Sequence, residues 1–205
     1  MEFSTILDYW FGSNDKENYQ ERSNTEIAQA QSPLWWQKQE ATDTDIRQRF
    51  EPILKAITVG EYDHWLEDPQ GRLAIIIVLD QFTRNMYRNL PETFAYDALA
   101  LHLCLQGIKQ GQDKQLSLIE RVFFYLPLEH SESIKMQHLS IEKFQQIADE
   151  ASDEFAGSAN GFLDFAHKHK VIIERFNRYP HRNEILKRAS TAEELAFLQE
   201  PGSSF

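Results

Sequence analysis

Cysteine is almost missing from this 205-residue chain. Cys104 is the only one, so neither an internal disulfide nor a thiolate zinc cage can form. Glycine (8) and proline (7) are scarce. An all-β sandwich, with a turn every 8–12 residues, spends more of both. Long apolar runs are lacking too. The longest, Leu73 to Leu79, falls far short of the ~20 residues that span a bilayer. Met1 to Leu7 has no basic stretch ahead of an apolar one, so no secretory signal is expected there. Positive charge is in deficit: 21 Lys and Arg against 32 Asp and Glu, a net −11. That balance speaks against nonspecific nucleic-acid or anionic-membrane binding. A cytoplasmic protein is expected.

What is present is apolar and aromatic: 41% hydrophobic residues and 12% aromatic, Trp10, Trp35, Trp36 and Trp65 among them. A chain of this length and composition folds without a metal or disulfide staple. The spacing is helical. Phe3, Ile6, Leu7, Trp10 and Phe11 share one helical face, and Gly12 stops it. Residues 13–32 are polar and read as an irregular excursion. Ile46, Phe50, Ile53, Leu54 and Ile57 mark a second helix, with Thr42 or Asp43 as its cap. Asp68-Pro69 is a helix start. The segment 71–86 is apolar on all sides and reads as a buried central helix rather than a strand, because of that start and its length.

Further helices are expected over 94–110 (ended by Gly111), over 116–126 (stopped by Pro127), from Ser131 onward, and over 162–176. Residues 149–161, with two glycines, read as a connection. Thr191 to Glu194 is a capping box for a last helix. Residues 202–205 are expected to be a loose tail. The whole, 1–205, reads as one all-α domain of short antiparallel helices with no fixed-period repeat.

Three stretches set polar residues among apolar ones. The first, 80–88, carries Asp80, Arg84, Asn85 and Arg88. Asp80 and Arg84, four apart, share a helical face. The second, 121–132, carries Arg121, Glu129, His130 and Glu132. The third, 175–188, gathers Arg175, Arg178, Arg182 and Arg188 with His181 and Asn183; His167 lies shortly before it. Each stretch has two readings. Buried ion pairs orient helix ends, and acids in a first turn suit the helix dipole. Alternatively, arginine forks clamp a carboxylate or phosphate, and a histidine carries a proton. A metal is not favoured: His130 and His138 are eight apart, ~12 Å along a helix. There is no phosphate loop, dinucleotide fingerprint, nucleophile elbow or His-Glu-x-x-His. Cys104 sits between Leu103 and Leu105 and reads as core.

On these stretches the chain resembles a bacterial family, domain of unknown function family 924. The resemblance rests on Leu79-Asp80-Gln81-Phe82-x-Arg84-Asn85, on Tyr125-Leu126-Pro127-Leu128-Glu129-His130-Ser131-Glu132 and on Arg178-Tyr179-Pro180-His181-Arg182-Asn183. It extends from Ile6 almost to the C-terminus. Thr83 stands where that family usually has Pro, Tyr179 where it has Phe, and Asn177 and Lys187 where it has Gly. The resemblance implies a tetratricopeptide-like helical fold and brings no activity with it.

Two functions follow. One is a binding domain for a peptide or protein partner, with a groove or pocket lined by Arg, His and Glu; the lack of a recognisable catalytic constellation favours it. The other is an enzyme or receptor for a small anionic molecule. There Arg84, Arg178 and Arg182 would clamp the anion, and Glu129, His130 or His181 would do the proton chemistry. Asp80, Asn85, Arg88, Arg121, Glu132, His167 and Asn183 complete the candidate ligand-binding set. Neither function calls for a cofactor or metal, and the oligomeric state is left open. The charge map supports an anion. Residues 71–138 and 171–205 are each neutral (7 basic with 7 acidic, 5 with 5) and hold eight of the eleven arginines. The acid excess lies elsewhere.

Overall fold

The apolar spacing of 3–11 closes into α1 (Phe3–Phe11), whose Ile6, Leu7, Trp10 and Phe11 are buried. The computed structural model describes residues 1–13 and 22–203. Among the described residues there is no strand, and the chain forms a compact helical domain. After α1 come α2 (Asn24–Trp36), α3 (Glu40–Thr58), α4 (Pro69–Ile77), α5 (Thr83–Met86), α6 (Asp97–Gln110), α7 (Leu118–Glu129), α8 (Ile134–Glu150), α9 (Asp153–Phe176) and α10 (Ala192–Phe197).

The central helix is α4. Asp68 caps it, accepting from the backbone N–H of Gln70 and Gly71. Every residue from Leu73 to Leu79 is buried, as an all-apolar helix requires. It packs on α1, α6 and α7. Beside it the aromatic residues interlock edge to face. Trp10 meets Phe82 and Phe123 with ring centroids 5.4 Å apart, and Trp35 meets Phe123 at 4.6 Å. The Trp35 indole N–H donates to the Trp10 carbonyl at 2.9 Å, tying α2 to α1. Only Ala151 and Ser152 separate α8 from α9, so the two form an antiparallel hairpin.

Five boundaries depart from the expected pattern. Much of the expected excursion at 13–32 is α2; residues 14–21 lie outside those described. Ser23 and Glu26 form a reciprocal capping box that starts α2, although few of its residues are apolar. Asp43 does not cap α3; the cap position is Gln39, and Asp43 turns to Arg88. Pro127 lies inside the last turn of α7 instead of ending it, because the His130 N–H bonds to the Leu126 carbonyl beyond it. Residues 153–161, expected in a connection, belong to α9. Of the expected tail, Ser203 is buried with its hydroxyl on the Leu198 carbonyl, and 204–205 lie outside the described residues.

Asn177 and Lys187, the positions where glycine is usual, both have φ near +55°. The left-handed conformation costs a residue with a Cβ about 1–2 kcal/mol, of which glycine's larger unfolded-state entropy takes back up to about 1. Lys187→Gly is therefore expected to stabilise the fold by roughly 0.5–1 kcal/mol in urea unfolding. A lower midpoint with unchanged slope would show that the lysine side chain matters more than the backbone.

Candidate functional site

The buried helix α4 does not simply continue into α5. Val78–Phe82 form a π-type turn between them. Such turns insert extra backbone into a helix and often mark functional sites. The Thr83 hydroxyl donates to the Leu79 carbonyl at 2.8 Å, satisfying an acceptor within this turn. The turn holds Asp80 fully buried and brings Gln81 into the wall of a cavity of about 870 Å³.

That cavity collects parts of all three polar stretches: Arg84, Asn85 and Arg88 from the first, Glu129 and His130 from the second, His181 and Arg182 from the third. The wall carries four cations, Lys38, Arg84, Arg88 and Arg182, and Glu129 is its one acid among the described residues. The carboxylates that balance the arginines stand behind the wall. Arg84 and Arg182 share Asp97, at 3.1 and 3.2 Å. Arg88 and Asn85 share Asp43, with Arg88 Nε at 2.6 Å. Arg182 also donates to the His130 carbonyl at 3.0 Å. The arginines are thus held in place from the rear and face the cavity.

His130 Nδ1 lies 2.7 Å from the Asp80 carboxylate. Asp80 also accepts from Gln81 and has Arg84 at 3.5 Å. Burial alone would raise the Asp80 carboxyl; Arg84 and the hydrogen bonds outweigh it and hold it well below the usual range. Burial and Arg84 push His130 toward its neutral form. A neutral imidazole that donates Nδ1–H to Asp80 keeps a lone pair on Nε2, the requirement for a base.

Glu129 has the opposite character. Burial, with the Asp80 charge adding to it, pushes its carboxyl up to about 8. It is therefore a neutral acid at pH 7. Its Oε1 is 3.1 Å from His169 Nδ1, which also lies 2.9 Å from the Phe165 carbonyl. Two facing oxygens assign the ring proton to Nδ1. Burial lowers His169 to about 3, so it too is neutral. With the Nδ1–H of His169 facing Oε1, the acid proton of Glu129 belongs on Oε2, a buried atom with no hydrogen-bond partner. A proton donor and a proton acceptor thus stand on consecutive residues, at the end of α7.

The third stretch fixes that helix end. The Tyr179 hydroxyl donates to the Glu129 carbonyl at 2.5 Å, and Gln137 Nε2 donates to the same carbonyl at 2.7 Å. Tyr179, Ile172, Ile173 and Phe197 pack as a small separate core that seats α10.

The remaining candidates lie elsewhere. Arg121 pairs with Glu150 at 2.7 Å and caps carbonyls of Leu116 and Lys114. His167 is on an exposed face of α9. Glu132 takes both Arg188 and the Tyr179 N–H. Arg178 pairs with Glu194 at 2.5 Å. Asn183 is buried between Ser190 and Arg188. Glu132, Arg178 and Asn183 hold the 177–190 loop. His138 is exposed, and among the described residues no three His, Cys, Asp or Glu side chains are grouped to hold a metal. The structure adds Asp97, Asp43, Lys38 and His169, none of which a local pattern marks. His169 sits two residues from His167 on a different helical face, and the packing of α9 decides which of the two faces the cavity. No helix is long and apolar enough to cross a membrane among the described residues.

A family model described as a bacterial protein of unknown function (DUF924) matches residues 6–202. The solved structure of a protein of unknown function from Agrobacterium tumefaciens is similar, with 32% identity, a TM-score of 0.78 and 96% of each chain covered. No curated protein matches. With nearly its whole length matched, motifs included, the chain belongs to the bacterial DUF924 family.

Proposed function

We propose that this protein binds a small anionic molecule in the cavity and acts on it by acid–base chemistry. His130, oriented by Asp80, accepts the proton and Glu129 supplies one. The observation that carries this reading is the layering of charge: cations in the wall, their carboxylates behind it. An ion pair built only for stability has no reason to turn its cationic half toward a cavity. The volume of about 870 Å³ suits a small ligand. Arg84 and Arg182 hold a carboxylate or phosphate as its anionic head. A peptide-binding arc would not need a neutral carboxylic acid beside a carboxylate-oriented imidazole.

The test is a thermal-shift screen of the pure protein against carboxylates and phosphate monoesters. A ligand at a hundred times its Kd adds about 2.7 kcal/mol, which raises Tm by roughly 5–10 °C for a domain of this size. Arg84→Gln and Arg182→Gln should each lose most of that shift. His130→Gln should retain it and lose turnover. A screen in which no anion moves Tm, for wild type or variants, would reject the reading.

A further inference from the structure

The cavity is longer than an anion needs. Along α9 its wall is formed by Ser158, Gly161, Phe162, Phe165 and His169, a single helical stripe spaced 3, 4, 7 and 11. Eleven residues of helix span ~16 Å. One end of that stripe, His169, touches Glu129 in the charged region. The other end, at Ser158, faces α2, where Gln29 and Ser32 stand among apolar side chains. There α2 supplies Ala28, Trp35 and Trp36 to the facing wall. Trp36 and Phe165 are each about half exposed, 49%, and both belong to this wall. At the charged end Glu129 and Arg182 line the cavity while only 4% and 7% exposed, and Glu129 Oε2 and Arg182 Nε have no hydrogen-bond partner within the protein.

We propose that the ligand is an amphipathic acid. Its anionic head lies against Arg84, Arg182 and Glu129, and its extended apolar body lies in the trough between α2 and α9. Gly161 sets how much body the trough accepts. A Cβ there would meet no atom within 4 Å, so a side chain at this position takes up open space without pushing protein aside. This inference rests on the anionic-ligand reading above for its head group and on the α2–α9 trough for its tail.

The experiment is calorimetric titration with straight-chain carboxylates, from acetate and butanoate through hexanoate and octanoate to decanoate. The matched primary alcohols form a second series. Affinity should rise about fourfold per methylene until the trough is filled, and each alcohol should bind at least tenfold more weakly than its acid. Gly161→Leu should leave acetate and butanoate within twofold and weaken decanoate at least tenfold. Leucine is the better helix former inside α9, so this variant keeps its fold. Trp36→Ala, at the exposed mouth, should also weaken decanoate and spare acetate.

Equal affinity from acetate to decanoate would overturn the trough while leaving the anion site standing. Equal weakening of acetate and decanoate by Gly161→Leu would overturn it as well. Alcohols that bind as tightly as their acids would overturn the anionic head while leaving the trough. No binding by either series would overturn both.

Discussion

Asp80→Asn is expected to destabilise the protein by about 3 kcal/mol at pH 7, the low end of the cost of breaking a buried ion pair. Asp80 is fully buried; its carboxylate accepts from His130 and Gln81 and forms an ion pair with Arg84 at 3.5 Å. Asparagine keeps the shape but replaces one acceptor oxygen with an NH₂ donor. That donor must face either the Gln81 amide or the His130 N–H, so two donors meet. Arg84 keeps Asp97 at 3.1 Å, which is why the cost stays at the lower end. The effect is also pH-dependent. The Asp80 carboxyl is held below its ordinary value, so its contribution is present above about pH 4 and is lost as pH falls. The gap between wild type and Asp80→Asn in urea unfolding should therefore narrow below about pH 4. A difference within about 0.5 kcal/mol at pH 7, the range of surface changes, would show that Asp80 does not hold this end of the helix.

Glu129→Gln works in the opposite direction. The folded protein holds the Glu129 proton up to about pH 8, against an ordinary value of 4.5. Stability linked to that proton is complete below about pH 4.5 and is gone once pH has risen through 8. The difference corresponds to about 3–5 kcal/mol across this window. Glutamine is the uncharged isostere of the neutral acid and does not titrate. The variant should match wild type near pH 5 and exceed it by several kcal/mol at pH 8.5. Its turnover should disappear, because an amide is no proton donor of comparable strength. Parallel stability curves for the two proteins from pH 5 to 8.5 would show that Glu129 is not held neutral by the fold.

These two residues also show how far a linear reading reaches. That Asp80, Glu129 and His130 were unusual is visible in the sequence, because charge beside an uninterrupted apolar run has to be explained. Which of them pair is not visible. Asp80 and His130 are fifty residues apart, and Glu129 meets His169 across forty. Likewise the arginines of the first and third stretches read as an anion clamp, yet Arg178 faces Glu194 and secures a loop. The partner that links Arg84 to Arg182 is Asp97, which in sequence is an ordinary acid in the first turn of α6.

The scarcity of cysteine, glycine and proline and the 3.6-residue spacing together determined an all-helical chain with α4 at its centre. Periodicity is a local property, and burial of one face per helix follows from it. Local signals failed where the chain lacked a clear apolar stripe, as in α2, or where glycine was tolerated inside a helix, as in α9. The tertiary structure alone decided the ionisation of the site. A carboxyl is pushed up or held down by what surrounds it in space, so the same neighbourhood leaves Asp80, buried behind the cavity wall, an anion and Glu129, in that wall, a neutral acid. The length of the trough was decided the same way, by two helices meeting face to face across a gap that no sequence spacing records.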